Sequence, residues 1–317
     1  MKVALVLILA VVAALFVALE VGLRSLCGFG NPLIYIGDEQ IGYLLAPNQR
    51  TRRFGNRIEI NQYSMRGAEI EKTVSPSTLR VLLLGDSIAN GGWWTDQDKT
   101  ISSLMMQSLK IALLGKYQDV EVLNASANSW GPRNELAYIQ RFGTFNAQAV
   151  VLLINTDDLF ASVPTALPVG RDRNYPDSKP FLAMTEVFSR YLFKQKPIPE
   201  LSAVQNEKGD RVGINLDAIS KIQALSRENH CEFLLVMTPL LREIGEPGSR
   251  DYEIIARDRL KDFTYSQQIT YIDFLPIFNA TKKPLALYQD HIHLNLEGNQ
   301  LVREYIERSL KELLHLR

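Results

Sequence analysis

Five apolar runs dictate what this chain can fold into: Leu79–Ser87 (LRVLLLGDS), Val120–Ser126 (VEVLNAS), Ala149–Asn155 (AVVLLIN), Glu232–Pro239 (EFLLVMTP) and Ile269–Phe274 (ITYIDF). Each is too short for a buried helix, and their mostly continuous apolar character, separated by helical patterns, reads as strands of a sheet covered on both faces. Helical patterns separate them: ISSLMMQSLKIALLGK, NELAYIQRFGTF, LDAISKIQALSREN and YEIIARDRLKDFTYSQQ, with EGNQLVREYIERSLKELLHL closing the chain. Strands alternating with helices predict an α/β fold, a three-layer α/β/α arrangement around a five-stranded parallel sheet. In such a sheet the functional crevice lies beyond the carboxyl ends of the strands.

The N-terminus obeys different physics. Val3 to Leu19 is uninterrupted apolar sequence, followed by Glu20. A helix from Val3 to Leu23 would reach about 31 Å, the hydrocarbon thickness of a bilayer. A cleaved signal peptide competes with a retained signal anchor, since Lys2 makes a short positive region. No small-x-small cleavage site is legible, and Leu26 before Cys27 suits a lipoprotein site poorly. The reading favours a single-pass anchor, with Lys2 inside and the rest of the chain outside a bacterial cytoplasmic membrane, on the periplasmic or extracellular side.

Three segments follow. Residues 1–24 form the transmembrane helix, 25–78 an N-terminal extension rich in turn formers and Arg, and 79–317 the α/β domain. An insertion at about 160–210 interrupts the alternation. It carries one helical pattern around FLAMTEVFSRYLF and is either a lid over the site or a peripheral decoration. Thirty-five Lys and Arg balance 35 Asp and Glu, and no basic stripe interleaves with aromatics, so nucleic acid is set aside as a partner. Cys27 and Cys231 read as two unpaired thiols.

The strand endings hold the candidate chemistry. The first run ends in Gly85-Asp86-Ser87. A serine hydroxyl is a weak nucleophile until a base takes its proton, and alone it would read as a helix cap. Of four histidines, His230 and His315 sit at helix ends. His291 and His293 stand together in YQDHIH, and Asp290 precedes His293 by three residues, within reach of one turn. That spacing suits a carboxylate that fixes the imidazole tautomer while the ring takes the Ser87 proton. His291 is the lesser candidate for the base. A metal site on Asp290, His291 and His293 lacks further clustered ligands, so no metal and no cofactor is expected. The second and third runs end in NASANSWGP and INTDD, small or polar residues where the first run holds Ser87.

With these four blocks in order, the sequence resembles the SGNH/GDSL hydrolase superfamily from about Leu79 to Arg317. The resemblance implies Ser87 as nucleophile, His293 as base and Asp290 as its orienting carboxylate, with Ser87, Ser126 and Asp157 at the oxyanion positions. Ser126 stands where the family has Gly, and Asp157 where it has Asn. An ionised Asp157 would oppose an oxyanion, unless it is protonated, Asn128 or Asn155 supplies the donor, or backbone groups suffice. The implied function is a serine esterase or acyltransferase working through an acyl-enzyme. Its partner would be an ester-bearing substrate, and an anchored extracytoplasmic member of the family implies an envelope or exported polysaccharide; Trp93 and Trp94 offer faces for sugar or for packing. No substrate-binding residue is legible. The alternative is an inactive member of the fold serving as a binding or assembly component of the cell envelope.

Overall fold

The structure is a computed structural model that describes residues 2–316. Helix α1 (Lys2–Gly22) leads into a π turn over Leu23–Cys27. Two antiparallel hairpins follow, β1 (Tyr35–Asp38) with β2 (Gly42–Leu45) and β3 (Gln49–Arg53) with β4 (Asn56–Ile60). The chain then alternates through β5 (Thr78–Gly85), α2 (Ser87–Asn90), α3 (Ile101–Ala112), β6 (Asp119–Ser126), α4 (Pro132–Phe142) and β7 (Ala149–Asn155). Beyond β7 lie α5 (Ala183–Val187), α6 (Pro199–Gln205), α7 (Arg211–Glu228), β8 (Glu232–Thr238), α8 (Asp251–Ser266), β9 (Thr270–Asp273), α9 (Phe274–Asn279) and α10 (Leu296–Leu313).

Five strands make one parallel sheet in the order β6-β5-β7-β8-β9. The apolar runs lie in it because both of its faces are covered. All eight residues of β5 and all seven of β7 are buried. Side chains alternate across the pleat. Leu82, Leu84, Val150 and Leu152 join Tyr138 of α4, Ile219 of α7 and Leu260 of α8 on one face. Val81, Leu83, Val151 and Leu153 meet Met105 of α3, Phe274 of α9 and Ile306 of α10 on the other. The hairpins share the first of these cores through Tyr43, Leu44, Leu45, Ile58 and Ile60.

Strand β5 is followed by β6 on one side and β7 on the other, so the winding reverses at its carboxyl end. Connections leaving in opposite directions open a crevice there, and Asp86 and Ser87 occupy it. Gly85 is demanded by close packing: a Cβ would stand 2.6 Å from the Leu153 carbonyl oxygen and 2.8 Å from the Ala89 Cβ.

Residues 160–210 contain more order than the single expected helix. The FLAMTEVFSRYLF pattern becomes α5 continued by a π turn over Phe188–Leu192, and Pro199 opens α6. Proline at the first helical position loses no hydrogen bond, because that N–H has no intrahelical acceptor. The surrounding prolines mask this start in sequence.

Candidate active site

The short helix α2 begins at the proposed nucleophile. Asp86 caps it by accepting from the Ile88 N–H at 2.8 Å, which sets the backbone so that Ser87 is the first helical residue. Its own N–H therefore has no acceptor in the helix. Ser87 Oγ lies 2.9 Å from His293 Nε2 and 3.3 Å from Asp86 Oδ2.

His293 arrives from 206 residues away on the loop before α10. That loop is pinned at several points. Tyr288 donates its hydroxyl to the Pro239 carbonyl at 2.6 Å, and the Leu241 N–H donates to the His291 carbonyl at 3.0 Å. Asp290 Oδ1 accepts from the Ile292 and His293 N–H groups at 2.9 and 2.7 Å, and Oδ2 stands 2.7 Å from His293 Nδ1. Burial works to raise the Asp290 carboxyl, but the hydrogen bonds from His293 and Ile292 outweigh it and hold the group below the ordinary carboxylate range. The Trp94 ring covers the imidazole with centroids 4.1 Å apart. His291 is exposed, with its Nδ1 4.0 Å from Asp290, and no hydrogen bond joins it to Ser87 among the described residues.

The loop from Asn90 to Thr95 holds Trp94 in place. Gly91 and Gly92 take left-handed φ values of 75° and 46°, and the Trp94 ring fills the space where a Gly92 Cβ would be. Arg66 of the N-terminal extension donates to the carbonyls of Asn90, Gly92 and Thr95 while itself buried. The two glycines after Gly-Asp-Ser thus shape a turn that lays an aromatic ring on the histidine.

The carboxyl ends of β6 and β7 contribute differently from expectation. Ser126 does not line the cavity beside Ser87. Its hydroxyl donates to Asn124 Oδ1 at 2.5 Å and accepts from Asn90 Nδ2 at 3.3 Å. Beyond it, Asn128, Ser129 and Trp130 reach the cavity wall. Ser129 takes a φ of 58°, and Tyr43 fixes the turn by donating to the Asn128 carbonyl at 2.6 Å and accepting the Trp130 indole N–H at 3.0 Å. Among the described residues the buried Asn128 Oδ1 has no partner. That β6 ends in a turn rather than a pocket-facing strand position is set by the hairpin packed against it, which the sequence of the block alone does not carry.

Asp157 lines the cavity, but its side chain is 58% exposed and stands 3.6 Å from Arg242. The Asn155 amide is fully committed, donating to Asp86 Oδ2 and Asp158 Oδ2, each at 2.9 Å. Burial raises both carboxyls, and the Asp86 charge raises Asp158 further. Glu135 is wholly buried, has no partner on either oxygen among the described residues and is raised by burial and by Asp86. Protonated carboxyls here would spare the site a knot of like charge.

Ser87, His293 and the Asn128 turn open on one cavity of about 730 Å³. Trp93, Trp94 and Tyr175 give it aromatic surface over the buried Tyr35, Tyr43 and Trp130, and Asn31, Thr51, Ser129 and Asn174 add polar groups. Both cysteines are free.

Residues 83–301 match the sequence model of the GDSL-like Lipase/Acylhydrolase family. The chain belongs to this family. It is therefore an ester-bond hydrolase of the SGNH/GDSL kind. Among solved structures, an acetyl xylan esterase, AlAXEase, is 15% identical with a TM-score of 0.49, covering 73% of this chain and all of that one. The lipase/acylhydrolase from Enterococcus faecalis is 16% identical with a TM-score of 0.45, over 74% of this chain and 96% of its own. LAE5, an alpha/beta hydrolase enzyme from the metagenome of Lake Arreo, Spain, is 13% identical with a TM-score of 0.47, over 73% and 94%. No curated protein matches the chain in sequence.

Proposed function

We propose that this GDSL hydrolase is a serine esterase that removes ester-linked acyl groups from a carbohydrate through a Ser87-His293-Asp290 triad. The observation that carries the reading is the unbroken relay from Ser87 Oγ to His293 Nε2 at 2.9 Å and from Nδ1 to Asp290 at 2.7 Å. Ser87 Oγ attacks the ester carbonyl as His293 Nε2 takes its proton, and Asp290 stabilises the imidazolium. The tetrahedral intermediate collapses, the C–O bond to the alcohol breaks, and His293 returns the proton to the departing oxygen. Water, activated by the same ring, then releases the acyl group and restores Ser87. An acceptor hydroxyl in place of that water would make the enzyme an acyltransferase. Aromatic faces interleaved with amides and hydroxyls suit a sugar, whose rings offer C–H faces and hydroxyl edges.

Charge forming on the carbonyl oxygen needs donors already in place. The free Ser87 N–H is one, and the Asn128 amide, at the cavity wall and outside every side-chain network around it, is the second. Asn128→Ala should lower kcat by about 10²-fold with little change in KM. Asp157→Asn should leave kcat within roughly threefold, because the carboxylate it replaces is solvated and beside Arg242. Steady-state rates on an acetyl ester compare the two. A solvated Asp157 beside Arg242 supports the active reading over an inactive assembly component.

Helix α1 reads as a retained membrane anchor. Glu20 accepts from the Ala183 and Met184 N–H groups, and Arg24 donates to the Phe181 carbonyl. Cleavage after α1 would strip the Glu20 contacts from the folded body. With the body on the outer side, the substrate would be a cell-envelope or exported polysaccharide.

Fluorophosphonate labelling of the full chain tests the reading. The wild type should label at Ser87, and His293→Ala should abolish labelling while leaving the unfolding temperature unchanged within a few degrees. A folded wild type that resists the probe would sink the proposal.

A further inference from the structure

The end of α1 is bolted to one particular segment. Glu20 Oε1 accepts from the Ala183 N–H at 2.7 Å and Oε2 from the Met184 N–H at 3.2 Å, serving the free N–H groups at the start of α5. Arg24 donates to the Phe181 carbonyl at 2.7 Å. On its inner side this segment is tied to the body through Glu186, which accepts from the Gly30 N–H at 2.7 Å and from Arg190 Nε at 2.8 Å and pairs with Arg53.

The segment also carries exposed apolar side chains, of which Tyr191 keeps an edge-on contact with Phe29. Phe181 is 91% exposed, Tyr191 65%, Leu192 68% and Phe193 67%, with Leu26 at 77% beside them in the chain that leaves α1. Lys194 and Lys196 follow directly. Four apolar side chains so exposed within thirteen residues of sequence call for a partner. Aromatics flanked by lysines are what the headgroup layer accepts. Helix α1 has the length of the hydrocarbon layer and ends at Gly22, so whatever its next turn touches sits at the level of the headgroups.

We propose that residues 181–196 form a foot lying in the interfacial layer of the bilayer that α1 crosses, holding the catalytic cavity at the lipid surface. The inference rests on the reading of α1 as a retained anchor. The foot and the cavity wall are one piece: Arg173 donates to the carbonyls of Ser189, Arg190 and Phe193, and Asp172, Asn174, Tyr175 and Arg190 line the cavity. An ester carried by a molecule held at the membrane is thereby delivered to the site without diffusing from bulk water.

The test uses the full chain in discs of phosphatidylcholine and phosphatidylglycerol carrying doxyl-labelled lipid. With Cys27→Ser as background, an environment-sensitive nitrobenzoxadiazole is placed at Phe193→Cys and, as a control, at exposed Lys116→Cys. Lipid-borne quencher should quench the label at 193 at least about threefold more than at 116. Equal quenching at both positions overturns the foot. A label at 193 shielded from aqueous iodide yet untouched by doxyl lipid also overturns it, assigning the surface to a protein. The triple variant Phe181→Ser, Leu192→Ser, Phe193→Ser gives a second measure. It should keep its turnover of water-soluble 4-nitrophenyl acetate and lose roughly fivefold or more on an ester embedded in the disc; an equal loss on both overturns the proposal. Quenching needs no catalysis, so a failure of the esterase reading would leave its result intact.

Discussion

Replacing Ser87 by alanine should lower kcat on an acetyl ester by roughly 10⁶-fold, with KM and thermal unfolding close to wild type. The size follows from what the hydroxyl does. It is the atom that bonds to the acyl carbon, so its removal leaves only water held near a polarised carbonyl. The stability expectation follows from packing. Ser87 is buried, but among the described residues its side chain bonds only to His293 and, at 3.3 Å, to Asp86. The Asp86 cap that fixes α2 uses the backbone of Ile88 and survives the change. A loss below about 10²-fold would place the nucleophile elsewhere, because oxyanion donors and binding alone cannot hold wild-type rates. His293→Ala should fall nearly as far, and the double variant no further, since the two act on one proton.

How much of this was legible before the fold was known depends on what each residue answers to. The central strands β5, β7 and β8 were legible because burial on both faces writes itself as apolar sequence, Val81-Leu82-Leu83-Leu84 above all, and the partly exposed edge strands β6 and β9 were legible from their place in the strand–helix alternation. The Ser87 and Asp290-His293 candidates were legible because each is a local arrangement, one at a strand end and one within a single turn. Their meeting across 206 residues is supplied by the sheet order. The oxyanion side was not legible in the same way. Ser126 and Asn128 are two residues apart, and which of them reaches the cavity depends on Tyr43, 85 residues earlier, gripping the Asn128 carbonyl. Arg66 is a similar case. In sequence it is one of many arginines in the extension, and only the fold shows it buried under the Trp94 loop. Side chains that answer to distant backbone leave little trace in their own neighbourhood.

Asp290→Asn separates a triad from a Ser-His pair with a decorative neighbour. Asp290 Oδ1 serves two backbone N–H groups, and Oδ2 faces His293 Nδ1. Asparagine keeps the first acceptor, so the loop should hold its shape. Its NH₂ would face Nδ1 and force that nitrogen to accept, leaving the ring proton on Nε2, where it blocks proton transfer from Ser87. The expected loss in kcat is about 10⁴-fold at pH 7. The carboxylate also carries a pH signature. Its folded-state pKa lies below the ordinary value of about 3.9, so its contribution to stability is present above that value and lost as pH falls through the depressed one. Unfolding temperatures of wild type and Asp290→Asn should therefore differ at pH 7 and converge as pH is lowered below the usual carboxylate range. A variant that keeps activity within tenfold, or whose deficit in stability does not change with pH, would remove Asp290 from the relay and leave His293 oriented by Trp94 alone.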